Sequence, residues 1–419
     1  MKILIVNAYD KWGGAARAAY RLHKGLQSIG VESQMLVQIK TCDDPTVSGP
    51  QSRLQKVIGF GRYWLDALPV KFYKNKIDSF FTPAWLPFGD IVNKINASDA
   101  DVVHFHWIAA GMIRIEDLAK IKKPIVWSLL DMWAFTGGCH YDSECGKYVR
   151  HCEACPVLNS NKKCDLSYAI FRRKKKTFAK IPHLTIVGHS RWLTDCAKKS
   201  TLLADRSIIN IPSPIDTCTF RPFDRKIARE MWGLPLDKKL VLFGSFGGTD
   251  DPRKGFKELT IAMRRIKSSG VELVIFGASR RENSPNFEFP THYLGHITSD
   301  LSLRMLYAAA DVMVVPSLQE NLSNAIMESL ACGTPVVGFD IGGNRDMIDH
   351  QQNGYLATPI DPTSLADGID WILNHPAPQN LSQNARQKVM ETFEATKVAK
   401  QYAGVYEAVL KSVEQLDLD

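Results

Sequence analysis

Short runs of β-branched and apolar residues recur along this chain. Longer stretches between them carry apolar positions at helical spacing. The runs predict strands at residues 3–8, 32–39, 102–107, 125–129, 184–187 and 208–211, and again at 240–246, 272–276, 293–294, 312–315 and 336–339. Helices are predicted at 15–29, stopped by Gly30, and at 190–199, 256–268, 300–309, 323–331 and 344–348. Continuous apolar strands alternating with helices imply parallel sheets covered on both faces, hence an α/β chain. The cycle restarts near residue 240, after a Pro-rich stretch at 211–216, so two doubly wound halves joined through 212–238 are expected. Ligands of such sheets bind outside the carboxyl ends of the strands, and two halves facing one another would enclose a deep cleft. A last helix, with Val398, Tyr402, Val405, Val409 and Val413 on one stripe, has a face to bury.

Composition narrows the class. The chain has 419 residues, 45% hydrophobic and 23% charged, which excludes collagen, low-complexity disorder and a small disulfide scaffold. No apolar run approaches the roughly 18 residues of a membrane span. The opening Met1-Lys-Ile-Leu-Ile-Val-Asn7 reads as a buried strand, its apolar run being too short for a signal peptide. Nine cysteines without an export signal predict a reducing cytoplasm.

The net charge of +8 is concentrated. Residues 146–180 hold ten Lys/Arg against two Asp/Glu. Residues 51–76 hold six against one, interleaved with Phe60, Tyr63, Trp64, Leu65, Leu68, Phe72 and Tyr73. Basic and aromatic residues so mixed suit an anionic membrane surface, at the inner face, or a solvated helix face. No nucleic-acid motif accompanies them, and nucleic acid is not an expected partner.

The most informative chemistry follows the strand 312–315. There Asn321 or Ser323 caps a helix that Gly333 ends, so amides near Asn321, Leu322, Ser323 and Asn324 suit a phosphate. Glu320 lies in the leading loop and Glu328 in the helix, seven residues between them. Carboxylates beside a phosphate site suit sugar hydroxyls.

This Glu-x7-Glu pattern, with Gly333-Thr-Pro-Val-Val after it, resembles the retaining glycosyltransferases of family 4, which have the GT-B fold. Met1–Val6 with Gly13-Gly14, Asp250-Asp-Pro-Arg-Lys-Gly255 and Gly354-Tyr-Leu fit the same family in order, so the resemblance spans nearly the whole chain. It implies two Rossmann-like domains facing a deep cleft: an acceptor-side domain at 1–212 with a Cys-rich insertion at about 136–166, a nucleotide-sugar domain at 213–395, and a helix, 396–419, returning to the first domain.

The resemblance also implies roles. Gly13 and Gly14 would lie near the donor diphosphate. Lys254 would neutralise that diphosphate without metal, joined by Arg253, because Gly244-Ser-Phe-Gly-Gly248 lacks the family's arginine. Glu320 would accept hydroxyls of the donor sugar and Glu328 those of the ribose. Gly277, Gly295, His296 and Ile297 would surround the nucleotide. Leu130 stands where many relatives place a histidine, leaving Asp131, His106 and His140 as the polar substitutes.

Cys139, Cys145, Cys152, Cys155 and Cys164 fall within 26 residues. They suit either a structural zinc that staples a basic loop of little apolar content, or one redox-active or disulfide pair. The Thr136-Gly-Gly-Cys-His-Tyr start resembles an exopolysaccharide subgroup of the family. The expected protein is thus a metal-independent hexosyltransferase. It would use a UDP-glucose-type donor, with GDP-mannose second, and a lipid-linked or saccharide acceptor in cell-surface polysaccharide synthesis. A GT-B nucleotide-sugar epimerase, or a scaffold built on the Cys-rich loop, is the alternative.

Overall fold

Seven strands pair in the first half of the chain: β1 (Lys2–Tyr9), β2 (Glu32–Ile39), β3 (Val47–Ser48), β4 (Val102–Phe105), β5 (Ile125–Leu129), β6 (Leu184–Gly188) and β7 (Ser207–Asn210). They form one sheet in the order β3-β2-β1-β4-β5-β6-β7, every pairing parallel. Here the chain is described as a computed structural model, covering residues 1–87, 89–244, 249, 251–280, 287 and 289–416. The alternation along β1 shows why its run is apolar throughout. Ile3 and Ile5 enter a core layer with Ala19, Leu22 and Leu26, while Leu4 and Val6 enter the layer on the other face.

The second half repeats the plan. β8 (Lys239–Gly244), β9 (Val271–Phe276), β10 (Thr291–Tyr293), β11 (Val312–Val315), β12 (Val336–Phe339) and β13 (Gly354–Ala357) make a parallel sheet in the order β10-β9-β8-β11-β12-β13. The chain divides into two compact units, one of Met1–Ser213 with Thr396 onward, the other of Pro214–Ala395.

The helix Ala395–Leu416 packs on the first unit. Val398, Tyr402, Tyr406 and Val409 bury against β1 and its neighbours. Buried hydroxyls need partners, and they have them. Tyr406 Oη lies 2.7 Å from His104 Nδ1, and Tyr402 Oη lies 2.7 Å from Ser128 Oγ and 3.2 Å from His189 Nε2.

Several expectations change. The strand pattern ends at 336–339, but Gly354-Tyr-Leu starts one more strand, β13. β3 is too short to show as an apolar run. The Cys-rich segment is no bare loop: Cys139, Tyr148, Cys152, Cys155, Val157 and Leu158 join the core of the first unit. Uncharged thiols act as small hydrophobes, so the segment supplies its own apolar content. The basic run 172–176 lies in the helix Leu166–Phe178. Within it Arg173 pairs with Glu116 at 2.6 Å and Lys174 is fully buried, so this run cannot offer five free cations to a membrane. Ser245–Gly248 and Asp250, part of the expected strand end and phosphate loop, lie outside the described residues.

Candidate functional site

In the second unit the loop after β11 is clamped between two glycines. Gly255 has φ +71°, and a Cβ there would stand 1.8 Å from Pro316 O. Gly342 has φ +49°, and a Cβ there would stand 1.9 Å from Glu320 O. No side chain fits either place, so backbone from two other loops closes on 316–320. Arg253 O accepts from Leu318 N at 2.7 Å, tying the same loop to 251–255.

That clamp brings Lys254 to Glu320. Lys254 Nζ lies 2.9 Å from Glu320 Oε2, which also accepts from Ser317 Oγ at 3.3 Å. The pair is partly shielded, Lys254 at 27% and Glu320 at 11% side-chain exposure, so it is reachable yet strengthened by reduced solvent screening. Arg253 lies beside it and grips Asp251 with two bonds of 3.1 and 2.7 Å.

The helix Asn324–Ala331 follows, with Ser323 at its N-cap position. The Ser323 side chain makes no cap bond, so the first-turn amides are not spent on it. Asn321 and Ser323 are buried, and Leu322 packs partly against the core. Glu328, inside the helix, is 3% exposed, and Tyr307 Oη donates to its Oε2 at 3.0 Å. At the carboxyl ends of β9 and β10, Gly277 N donates to Gly295 O at 2.7 Å. The following His296 is exposed and Ile297 rests on the core. The structure thus gathers Lys254, Arg253 and Glu320 tightly and seats Glu328 deeper. Ser317, Tyr307 and Gly342 were singled out by no pattern in the sequence.

The first unit has its own polar constellation. Asp131 follows β5, and its Oδ2 lies 2.6 Å from His140 Nδ1 and 3.0 Å from Trp107 Nε1. Its Oδ1 accepts from Trp133 N at 2.8 Å. Because a carboxylate only accepts, His140 Nδ1 donates to Asp131, while Nε2 lies 2.8 Å from Thr82 Oγ1. Asp131 and Leu130 line a small hollow with Trp107, Trp127 and His106. His106, just past β4, is buried, and among the described residues neither ring nitrogen has a hydrogen-bond partner. Burial, then neighbouring His104 and His189, push its pKa well below the ordinary value, so it sits there as a neutral imidazole. Trp107 and Thr82 are the partners that sequence reasoning missed. Gly13, at the N-terminus of the helix Gly14–Ser28, has open space over its Cα.

Among the described residues no three His, Cys, Asp or Glu side chains are grouped to hold a metal ion. Cys139, Cys152 and Cys155 are buried, Cys145 is half-buried, Cys164 is exposed, and all are free thiols. Cys152 Sγ accepts from Gly137 N at 3.1 Å, and burial pushes its thiol up to about 12. Beside them Lys174, pushed down to about 7 by burial, donates to Thr136 O at 3.1 Å and sits 4.0 Å over the Trp133 ring.

Residues 237–375 match the family model described as glycosyl transferases group 1. An uncharacterised glycosyltransferase of Methanocaldococcus jannaschii is 30% identical over 192 residues, 44% of this chain and 48% of that protein. The chain spans about half the length of that relative. Sucrose-phosphate synthase of Thermosynechococcus elongatus superposes with a TM-score of 0.67 at 19% identity, over 98% of this chain and 100% of that one. The Anabaena protein HepE, solved with UDP and glucose, superposes with a TM-score of 0.65 at 16% identity, over 97% and 99%. The fold is therefore GT-B, and the stretch that carries Lys254, Glu320 and Glu328 is the one that matches the group 1 glycosyl transferases.

Proposed function

We propose that this chain is a retaining glycosyltransferase. It moves a hexosyl group from a nucleotide sugar, UDP-glucose-type first and GDP-mannose second, to a lipid-linked or saccharide acceptor of cell-surface polysaccharide at the inner face of the membrane. The observation that carries the reading is the Lys254–Glu320 pair, 2.9 Å apart on the loop clamped after β11. HepE, with its bound UDP and glucose, supports the choice of donor.

Without a donor the ammonium and carboxylate neutralise one another. On donor binding Lys254 turns to the diphosphate and Glu320 accepts the sugar's hydroxyls. The bond from C1 to the diphosphate oxygen breaks, its electron pair staying on the phosphate. The acceptor oxygen bonds C1 on the same face and passes its proton to that phosphate. Lys254 and Arg253 stabilise the departing charge, which is where such a site gains most, and no divalent ion is needed for that task. Tyr307 orients Glu328 toward the ribose.

The test is nucleotide release by the purified protein from a panel of UDP- and GDP-sugars with metal chelated. Release from one donor, even by slow hydrolysis, is the expected result. The absence of both release and donor binding overturns the reading. A nucleotide-sugar epimerase is favoured by one feature, the Asp131–His140 couple, which supplies an acid–base group. Inversion of the sugar with the nucleotide still attached would select it.

A further inference from the structure

The helix Arg53–Asp66 packs with its polarity reversed. Its inward contacts are polar or glycine: Gly59 O accepts from Gln38 Nε2 at 3.2 Å, Arg62 Nε donates to Gly111 O at 2.7 Å, and Asp66 accepts from Trp85 N at 3.2 Å. Only Gly59 and Asp66 of its fourteen residues are buried. The apolar stripe, at helical spacing through Leu54, Val57, Ile58, Trp64, Leu65 and Leu68, faces out. Leu54 is 69%, Trp64 63% and the following Phe72 87% exposed. An amphipathic helix of a globular protein normally buries this stripe; here the pins hold the opposite face down. The geometry is set, since Ser52 caps the helix in a capping box with Gln55.

The charges around the stripe say what covers it. Arg53, Lys56, Lys71, Lys74 and Lys76 are all exposed, and among the described residues none is in a salt bridge. The one acid of this stretch, Asp66, is turned inward. A second copy docked about a two-fold axis would set these cations against their equals, which is repulsive. A bilayer with anionic headgroups offers the complement: acyl chains for the stripe, headgroup level for Trp64, and negative charge for the five cations.

We infer that the segment 53–77 is a membrane-docking face, its helix lying in the plane of an anionic lipid surface with Leu54, Val57, Trp64, Leu68 and Phe72 inserted. The inference goes beyond the transferase reading and stands whether or not the chain moves a sugar. No helix of the described residues is long and apolar enough to cross a membrane, so this face would act as a reversible anchor.

The experiment pellets the full chain with vesicles of phosphatidylcholine alone or mixed with phosphatidylglycerol, at low and high salt. Binding to the anionic vesicles that weakens as salt rises is expected. Trp64→Glu with Phe72→Glu should lower partitioning about tenfold or more, since each aromatic loses its buried area, while the melting temperature stays unchanged because both side chains are exposed. Lys71→Glu with Lys74→Glu should weaken binding to anionic vesicles alone. Absence of vesicle binding, equal binding to phosphatidylcholine alone, or a self-association in solution that Phe72→Glu abolishes in its place, overturns the inference.

Discussion

His140 Nδ1 lies 2.6 Å from Asp131 Oδ2, and the same oxygen accepts from Trp107 Nε1 at 3.0 Å. Two donors from different parts of the first unit thus converge on one carboxylate oxygen, while Trp133 N holds the other at 2.8 Å. Such a carboxylate is fixed in position before any ligand arrives. Asp131→Asn keeps the acceptor for Trp133 but sets an amide against donors. A loss of about 1–3 kcal/mol in stability is expected, read from urea unfolding followed by tryptophan fluorescence. An unchanged midpoint would mean that the convergence contributes nothing.

Glu320→Gln and Lys254→Ala address the second unit. Each breaks an ion pair and, in the proposed reading, removes a contact to the donor. Sugar transfer should fall by about 100-fold or more for Lys254→Ala, with circular dichroism and melting close to those of the parent, because the pair is partly exposed. Near-normal turnover in either variant would remove the assigned roles.

The glycine clamp makes a separate prediction. Gly255→Ala places a methyl group where Pro316 O already stands and forces a side chain into left-handed backbone. Destabilisation of more than about 2 kcal/mol is expected, together with lost activity, since the loop that carries Glu320 must move. Gly13→Ala is the contrast. Its φ of +86° strains the backbone, but no atom lies within 4 Å of the new carbon, so its cost should be the smaller.

Acid should weaken the first unit before its carboxylates titrate. Burial pushes His23 down to about 4 and His189 to about 3, and lowers His104 and His106 as well. In the unfolded chain each returns to about 6.5. Between those values the unfolded state binds more protons, so the stabilisation is complete above about 6.5 and is lost as pH falls toward 4. The slope reaches about 1.4 kcal/mol per pH unit for each such histidine. Melting temperatures from pH 7 to 4.5 measure it, and His189→Gln should flatten the curve. A flat profile in the parent would show that these imidazoles are protonated in the fold without cost.

The order of strands and helices was legible in the sequence because parallel strands covered on both faces must be apolar at every position. Val312–Val315 and Val336–Phe339 appear as they were expected. Glu320, Lys254 and Gly255 were legible too, since loop chemistry after a strand is local. The returning last helix could be read as an apolar stripe, but its hydroxyl bonds to His104, Ser128 and His189 join residues more than 200 positions apart.

Tertiary structure decided the rest. Thr82 and Trp107 reach Asp131 and His140 only because separate loops converge at the ends of β4 and β5, and no spacing rule records that. The fate of the charged and apolar runs was equally invisible. Lys174 and Arg173 went inward to carbonyls and Glu116, whereas Trp64 and Phe72 stayed outside. Periodicity fixes which residues share a face. What that face meets depends on the partners that the whole fold brings to it.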